Sequence, residues 1–303
     1  MNDEQKGILF TILASISLGF NYIAAKLLVD LINVETMSTI WFAFASLMYV
    51  VFFALKRIKI FEIIKKNLRI VLIIGILATI GSMFWTYAIS FSGPNKVSFI
   101  FQFNTVFTVF LGIIILQERF GKIESLGVLT AIIGVLVLTY SGDKLNFLST
   151  VFTLAAAFCY SLANFIAKLN VKKVDPMVLA GGRSFFVFLL FLIISLTTGR
   201  VQTDIPNIAF GYAFLGALTG AFIGFTFFYK ALEKIKISKV ITIRSIDPLF
   251  TTMFSFFILS IMPTTSQLVG GFLIIIGVVI LSLYKEKIYV MKRLKNFIPR
   301  VFR

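Results

Sequence analysis

The stretch that decides the fold is "GSMFWTYAISFSGPNKVSFIFQFNTVFTVFLGIIIL", residues 81–116, because the chain carries a second version of it 143 residues later. Residues 224–259 read "GFTFFYKALEKIKISKVITIRSIDPLFTTMFSFFIL", and the register continues without a gap to residue 281. Of the 58 positions aligned in this way, 16 are identical, including Lys96/Lys239, Thr108/Thr251 and Gly134/Gly277. Apolar sequences match one another through composition, but shared lysine and glycine positions do not arise that way. The chain therefore consists of two related halves.

Most of the chain has the composition of a membrane protein. Its 303 residues are 59% hydrophobic and 14% charged, whereas soluble domains carry about a quarter charged residues. A spanning helix needs roughly 20 apolar residues, and backbone polar groups in lipid must be satisfied within the helix. The sequence predicts ten transmembrane helices, at about 7–29, 36–55, 69–91, 97–116, 123–141, 149–169, 177–197, 208–230, 239–261 and 267–284.

The positive charges predict the orientation. With the N-terminus in the cytoplasm, 23 of the 29 lysines and arginines fall on the cytoplasmic side, four fall outside, and Arg183 and Arg244 lie within helices. This bias is typical of a multi-pass protein of the cell membrane (inner or plasma) with both termini in the cytoplasm. The net charge of +16 is therefore attributed to membrane orientation, and no nucleic acid partner is expected. Residues 286–303 form a basic tail that is expected to lie along anionic headgroups.

Each half contains five predicted helices, so the second half enters the membrane in the opposite sense. The domains are predicted at 1–142 for the first five-helix repeat and 143–285 for the second, inverted one. Inverted repeats are typical of alternating-access transporters, which bind their substrate near the midplane between the halves. The alternative is a non-transporting scaffold or receptor built on a duplicated five-helix unit.

Two further segments carry a family resemblance. "GFNYIAAKLL" ends the first helix, and "LQERFGKIESLGVLTAIIGVLVL" spans the connection after the fourth. Together with the 5+5 arrangement they resemble the EamA-type branch of the drug/metabolite transporter superfamily. The resemblance implies a secondary transporter of small metabolites, often an exporter of amino acids or related compounds. The sequence departs from the family pattern at Gln117, where glycine usually precedes the acid Glu118, and at Ile261, which stands opposite Glu118 in the second half.

The charged residues within helices are the first candidates for a substrate site, because each costs roughly 2.5–3.5 kcal/mol to insert. Arg183 and Arg244 lie about six residues from the cytoplasmic ends of their helices, so each either lines a cavity or snorkels to the interface. Arg244 and Asp247 are three residues apart and can pair on one helix face. Pro248 cannot donate to the carbonyl of Arg244, so we expect a helix break or gating point there.

Amides at equivalent positions of the two halves complete the predicted site. Asn104 stands opposite Asp247 in the repeat, and Asn21 is near-equivalent to Asn164. Such groups either line the cavity or bond one helix to another. The predicted substrate-binding residues are Asn21, Asn104, Asn164, Arg183, Arg244 and Asp247. Two arginines and one acid favour a substrate with a carboxylate or phosphate, such as an amino acid or an organic anion.

The remaining sequence features exclude other classes. The chain has no histidine and one cysteine, and it lacks nucleotide-binding and catalytic motifs. We therefore expect no enzyme activity, no metal and no cofactor. The expected partners are a small-molecule substrate, the lipid bilayer and either a proton or an exchanged counter-substrate. The glycine pairs at 127/134 and 270/277 predict smooth helix faces that meet either between the halves or between the subunits of a homodimer.

Overall fold

The computed structural model describes residues 1–58, 65, 67–116, 122–139 and 144–280, and every regular element within these ranges is a helix. In the first half these are α1 Asp3–Val29, α2 Val34–Leu55, α3 Leu68–Ile100, α4 Phe103–Leu116 and α5 Lys122–Thr139. In the second half they are α6 Lys144–Asn170, α7 Pro176–Thr197, α8 Asn207–Lys234, α9 Ile237–Arg244, α10 Asp247–Leu259 and α11 Thr265–Ile280. Glu118 and the basic tail lie outside the described residues.

Seven segments among the described residues are long and apolar enough to cross a membrane. They are α1, α2, α3, Phe147–Asn170 of α6, α7, α8 and Lys239–Leu259, which joins α9 to α10. Two shorter apolar helices follow, Ser125–Leu138 and Thr265–Ile280. Large apolar side chains such as Leu55 and Phe257 are more than 70% exposed, as expected of a surface that faces lipid. The chain is a multi-pass membrane protein, and the number of ten spans stays a prediction.

Polar side chains next to the apolar runs define where helices begin. The Asn33 side chain accepts a hydrogen bond from the Thr36 amide at the start of α2. Asp175 accepts from the Met177 amide at the start of α7, where Pro176 occupies the first helical position. These side chains satisfy amides that a helix N-terminus leaves without a partner. Gly199, with φ +64°, follows the end of α7, in the left-handed conformation that glycine adopts without steric cost.

The predicted spans at 97–116 and 239–261 each contain a turn, although Lys239–Leu259 remains long and apolar enough to cross a membrane. In the first half, a turn at Phe101–Gln102 separates α3 from α4; in the second half, Ser245–Ile246 separates α9 from α10. Both turns are tightened by hydrogen bonds between residues three positions apart. The Gln102 amide donates to the Phe99 carbonyl at 3.1 Å, and the Ser245 amide donates to the Thr242 carbonyl at 3.2 Å. The two breaks occupy equivalent positions of the repeat.

Pro248 therefore marks the second break without being its general cause. It lies in the first turn of α10, where its missing N–H costs no helical hydrogen bond. Its counterpart in the first half is Thr105, which follows a break of the same kind. A second irregularity precedes each turn: Gly93 interrupts α3 with φ +77°, and Ile235 ends α8 in extended conformation. The break is common to both halves of the repeat, and a proline follows it in the second half only.

The two glycine-bearing helices, α5 and α11, cross each other. An added Cβ on Gly134 would lie 2.6 Å from the Gly270 carbonyl oxygen, and one on Gly277 would lie 2.4 Å from the Gly127 carbonyl oxygen. Each contact becomes the other when the halves are exchanged by the 143-residue shift, and the order of the contacts makes the helices antiparallel. Of the two predicted alternatives, these faces therefore meet between the halves of one chain.

A second reciprocal contact forms the centre of the molecule. Gly81 of α3 lies against Tyr160 of α6, and Gly224 of α8 lies against Leu18 of α1. These two helix pairs correspond to each other under the repeat. Each half thus packs its third long helix against the first helix of the other half. This arrangement leaves a space between the halves that both of them line.

Candidate functional site

A central cavity lies where the two halves meet. Its cavity volume is about 60 Å³. Asn21 and Asn164 both line it, and so do Phe101 and Arg244, which sit at the two helix breaks; each pair is related by the repeat. The full lining comprises Leu18, Asn21, Tyr22, Met37, Ser38, Trp41, Phe42, Ser82, Trp85, Thr86, Phe101, Tyr160, Asn164, Arg183, Gly220, Ala221, Phe225 and Arg244.

Arg183 is buried in this cavity and does not snorkel to the interface. Only 1% of the residue is exposed. Its guanidinium carbon lies 3.6 Å from the centroid of the Phe225 ring and 5.5 Å from that of Tyr160. Nη2 makes a long hydrogen bond of 3.4 Å to the Tyr160 hydroxyl, which also bonds to Ser82 at 2.7 Å. Aromatic faces, which attract cations, hold this side chain in place.

Among the residues that the structure describes, no carboxylate compensates the charge of Arg183. In the part of the chain that the structure describes, Arg183 forms no ion pair, and its Nε and Nη1 atoms are buried without a hydrogen-bond partner. A buried unpaired donor costs about 1–3 kcal/mol, and more when it is charged. A cation–π contact contributes about 2 kcal/mol or more at a desolvated site, but it supplies no hydrogen-bond acceptor to these atoms. The site therefore favours an anion that would accept hydrogen bonds from these atoms.

Arg244 differs because it has its own counter-ion. Its Nε and Nη2 donate to Oδ2 of Asp247 at 3.0 and 2.7 Å, which is the pairing expected from their spacing. Arg244 also lies over the Phe228 ring, with 4.8 Å between guanidinium carbon and centroid. Asp247 is 3% exposed and does not line the cavity. The pair is neutral as a unit, and only its arginine reaches the cavity wall.

The three predicted asparagines divide into two kinds. Asn21 and Asn164 line the cavity, and the Oδ1 atom of each is buried without a partner. Asn104 does not line it: its Nδ2 donates to the Ala157 carbonyl at 3.0 Å and so joins α4 to α6. Asn104 therefore follows the helix-bonding alternative, because the turn at Phe101–Gln102 directs Phe101, and not Asn104, into the cavity.

α8 forms one wall of the cavity and approaches α1 and α2 closely. Gly216 and Gly220 lie so close to α1 and α2 that an added Cβ would be 2.1 Å from Trp41 and 1.7 Å from Asn21. The G-x-x-x-G spacing of Gly216, Gly220 and Gly224 permits such a close approach. It did not predict that Ala217–Gly224 would be a π-helix, a form that occurs frequently at functional sites. The Tyr49 hydroxyl donates to the Ala221 carbonyl at 3.1 Å within this segment.

Two clusters bridge the halves at opposite ends of the bundle. At one end, Glu35 accepts hydrogen bonds from Tyr87 at 2.7 Å and from Arg200 at 2.8 Å, and Glu35 is only 2% exposed. At the other end, Lys239 pairs with Glu4. Sequence reasoning missed Glu35, since an acid in the first turn of a helix is usually a favourable charge next to the helix dipole.

Similar proteins were found at the level of family, sequence and fold. The family model of the EamA-like transporter family matches residues 5–140 and 148–283. An uncharacterized transporter of Clostridium kluyveri is 23% identical, with 96% of this chain and 98% of that protein covered. An uncharacterized transporter of Methanothermobacter thermautotrophicus is 27% identical, with 72% of this chain and 66% of that protein covered.

A chain of known crystal structure has the same fold, with a TM-score of 0.65 at 12% identity over 93% of this chain. The family model covers both halves separately, as the internal repeat requires. The chain thus contains two copies of the family's unit, and it belongs to the EamA-like transporter family.

Proposed function

We propose that this protein is a secondary-active, alternating-access transporter that exports small polar metabolites with an anionic group, such as amino acids or related organic anions. The observation that carries the proposal is the cavity between the two halves, with Arg183 buried in its wall and not paired with an acid. Asn21, Asn164, Arg183 and Arg244 contact the substrate. Asn104 and Asp247 hold the neighbouring helices and Arg244 in position.

The reciprocal contacts support an inverted repeat and alternating access. Equivalent helices α5 and α11 run antiparallel, which requires a pseudo-two-fold axis across the helices and not along them. Both halves break their helices at equivalent positions beside the cavity, at Phe101–Gln102 and Ser245–Ile246. Interrupted helices in corresponding positions of two halves are typical of transporter binding sites. An exchange of roles between the halves would open the cavity to one side or the other.

The two bridging clusters are suited to act as gates. Glu35 of α2 binds Arg200 in the connection from α7 to α8, while Glu4 of α1 binds Lys239 of α9. Each pair joins one half to the other. In the predicted orientation, the Glu35 cluster faces outside and the Glu4 pair faces the cytoplasm. Closing one cluster while the other opens would give the two access states.

Transport and alternating access are tested together in proteoliposomes. Purified protein should carry organic anions across the membrane, and an Arg183→Gln variant should lose this flux. A cysteine placed at Ser38, in a Cys159→Ser background, should react from opposite sides of the membrane in the two access states. Absence of flux for every metabolite class, together with labelling from one side only, would refute transport and leave the non-transporting scaffold.

A further inference from the structure

The two arginines of the cavity have unequal roles. Oδ2 of Asp247 neutralises Arg244 at 2.7 Å, whereas Arg183 forms no ion pair within the described residues. Arg183 and the Arg244–Asp247 pair together therefore carry one net positive charge, which belongs to Arg183. A substrate with one negative charge would leave the loaded site neutral. A substrate with no net charge would leave a buried cation, and a dianion would leave a buried anion.

The geometry around Arg183 fixes where the anion binds. Phe225 covers one face of the planar guanidinium at 3.6 Å, and Tyr160 occupies Nη2. The unpaired Nε and Nη1 atoms carry their N–H groups on different sides of the guanidinium, with Nη2 between them. Arginine binds carboxylate and phosphate oxygens through hydrogen bonds in the guanidinium plane. Each of these two N–H groups is therefore left to donate a single hydrogen bond to an anionic oxygen.

The rest of the wall describes the body of the substrate. Trp41, Phe42, Trp85 and Phe101 supply large aromatic surfaces. Small-molecule sites are typically apolar with a few placed polar groups. Here those polar groups include the unpaired Oδ1 atom of Asn164, which would accept a hydrogen bond from the substrate, whereas the Oδ1 atom of Asn21 lies against Gly220.

We propose that the substrate is an organic monoanion with a planar apolar body and one hydrogen-bond donor, and that Arg183 is the residue that determines this specificity. The inference rests on the proposed transport function and narrows its substrate class. An anionic oxygen accepts a hydrogen bond from Nε or Nη1 of Arg183, the ring packs among the aromatic residues, and the donor binds Asn164. Arg244 does not bind the anion, because Asp247 already holds its Nε and Nη2.

Four indole compounds that differ mainly in charge test the proposal. Indole-3-acetate is a monoanion, tryptophan a zwitterion, indole neutral and tryptamine a cation. Thermal stabilisation of the detergent-purified full chain should be largest with indole-3-acetate, smaller with tryptophan and indole, and absent with tryptamine. Arg183→Gln should weaken indole-3-acetate binding by about 10- to 100-fold, since hydrogen bonds to a charged group contribute about 1.5–3 kcal/mol.

Arg69→Gln is the matched control, because Arg69 is exposed, and it should leave the order unchanged. Arg183→Lys retains the charge without the planar fork and should fall between wild type and Arg183→Gln. Circular dichroism and gel-filtration profiles equal to wild type establish that both variants are folded; if Arg183→Gln does not fold, Arg183→Lys carries the test.

Equal stabilisation by indole-3-acetate and tryptamine would overturn the proposal. It would also be overturned if folded Arg183→Gln still preferred indole-3-acetate over tryptamine as strongly as wild type does. If no compound of the panel binds, the proposed class of organic monoanions with a planar apolar body is wrong. In that case, flux of an unrelated metabolite into proteoliposomes would show that the transport function stands by itself.

Discussion

Gly134→Ala tests the crossing of α5 and α11, which joins the two halves. The new Cβ would lie 2.6 Å from the Gly270 carbonyl oxygen and 2.8 Å from the Ile274 amide nitrogen. The first distance is about 0.8 Å short of the 3.4 Å at which ordinary contact begins. Both neighbours are backbone atoms, which cannot rotate away. The helices must separate, and we expect a loss of about 1–3 kcal/mol in the free energy of unfolding, the usual cost of overpacking.

The repeat supplies a second site for the same test. Gly277→Ala places a Cβ 2.4 Å from the Gly127 carbonyl oxygen, and this contact is the counterpart of the first one. The two single variants should therefore lose similar stability, although the residues are far apart in the sequence. Both changes separate the same pair of helices, so the double variant should lose less than the sum of the single losses.

Gly211→Ala is the control, because no atom lies within 4 Å of the added Cβ and the residue is exposed. Alanine favours a helix over glycine, so this variant should be as stable as wild type or more stable by about 0.5–1 kcal/mol. Unfolding is measured by circular dichroism as a denaturing detergent is mixed into the micelles. Equal stability of Gly134→Ala and Gly211→Ala would refute the close crossing.

Three further changes test other parts of the structure. Pro248→Ala should leave transport within about twofold of wild type, since the first half breaks its helix without proline; a loss above tenfold in the proteoliposome flux would contradict the repeat-encoded break. Asn104→Ala should lower thermal stability, with about 1 kcal/mol lost for the missing hydrogen bond, while the KM for the substrate stays unchanged; a raised KM at unchanged stability would place Asn104 at the substrate. Glu35→Gln should weaken its bond to Arg200 and speed outside labelling of a cysteine at Ser38, and unchanged labelling would exclude the gate.

The sequence predicted the fold because lipid permits few alternatives. Long apolar runs in a membrane must be helices, and the ungapped repeat showed that the two halves correspond. The break at Phe101–Gln102 escaped prediction because no proline or glycine marks it. It depends on hydrogen bonds between residues three positions apart and on packing against other helices. Pro248 drew attention to its equivalent in the second half and suggested a local cause for a shared feature.

The site was predicted by residue type more successfully than by role. Arg183 and Arg244 were both singled out because charge in a membrane is costly, yet spacing along a helix could not distinguish a buried arginine from a snorkelling one. Asn104 and Asn21 were both predicted as site residues from the sequence, but only the direction of the side chain separates a cavity-lining amide from one that bonds to Ala157. The aromatic rings around Arg183, which are those of Phe42, Tyr160 and Phe225, come from three helices and left no local pattern.

The unbalanced charge of Arg183 has a consequence for the electrical behaviour of transport. An empty site bears one positive charge, whereas a site that holds a monoanion is neutral. A complete crossing of one charge is worth about 2.3 kcal/mol per 100 mV of membrane potential. A potential that is negative inside would therefore draw unloaded molecules into the state that faces the cytoplasm, where they collect the anion, and would leave loaded ones unaffected. The cell's own membrane potential would then help to return the empty carrier for outward movement of its substrate.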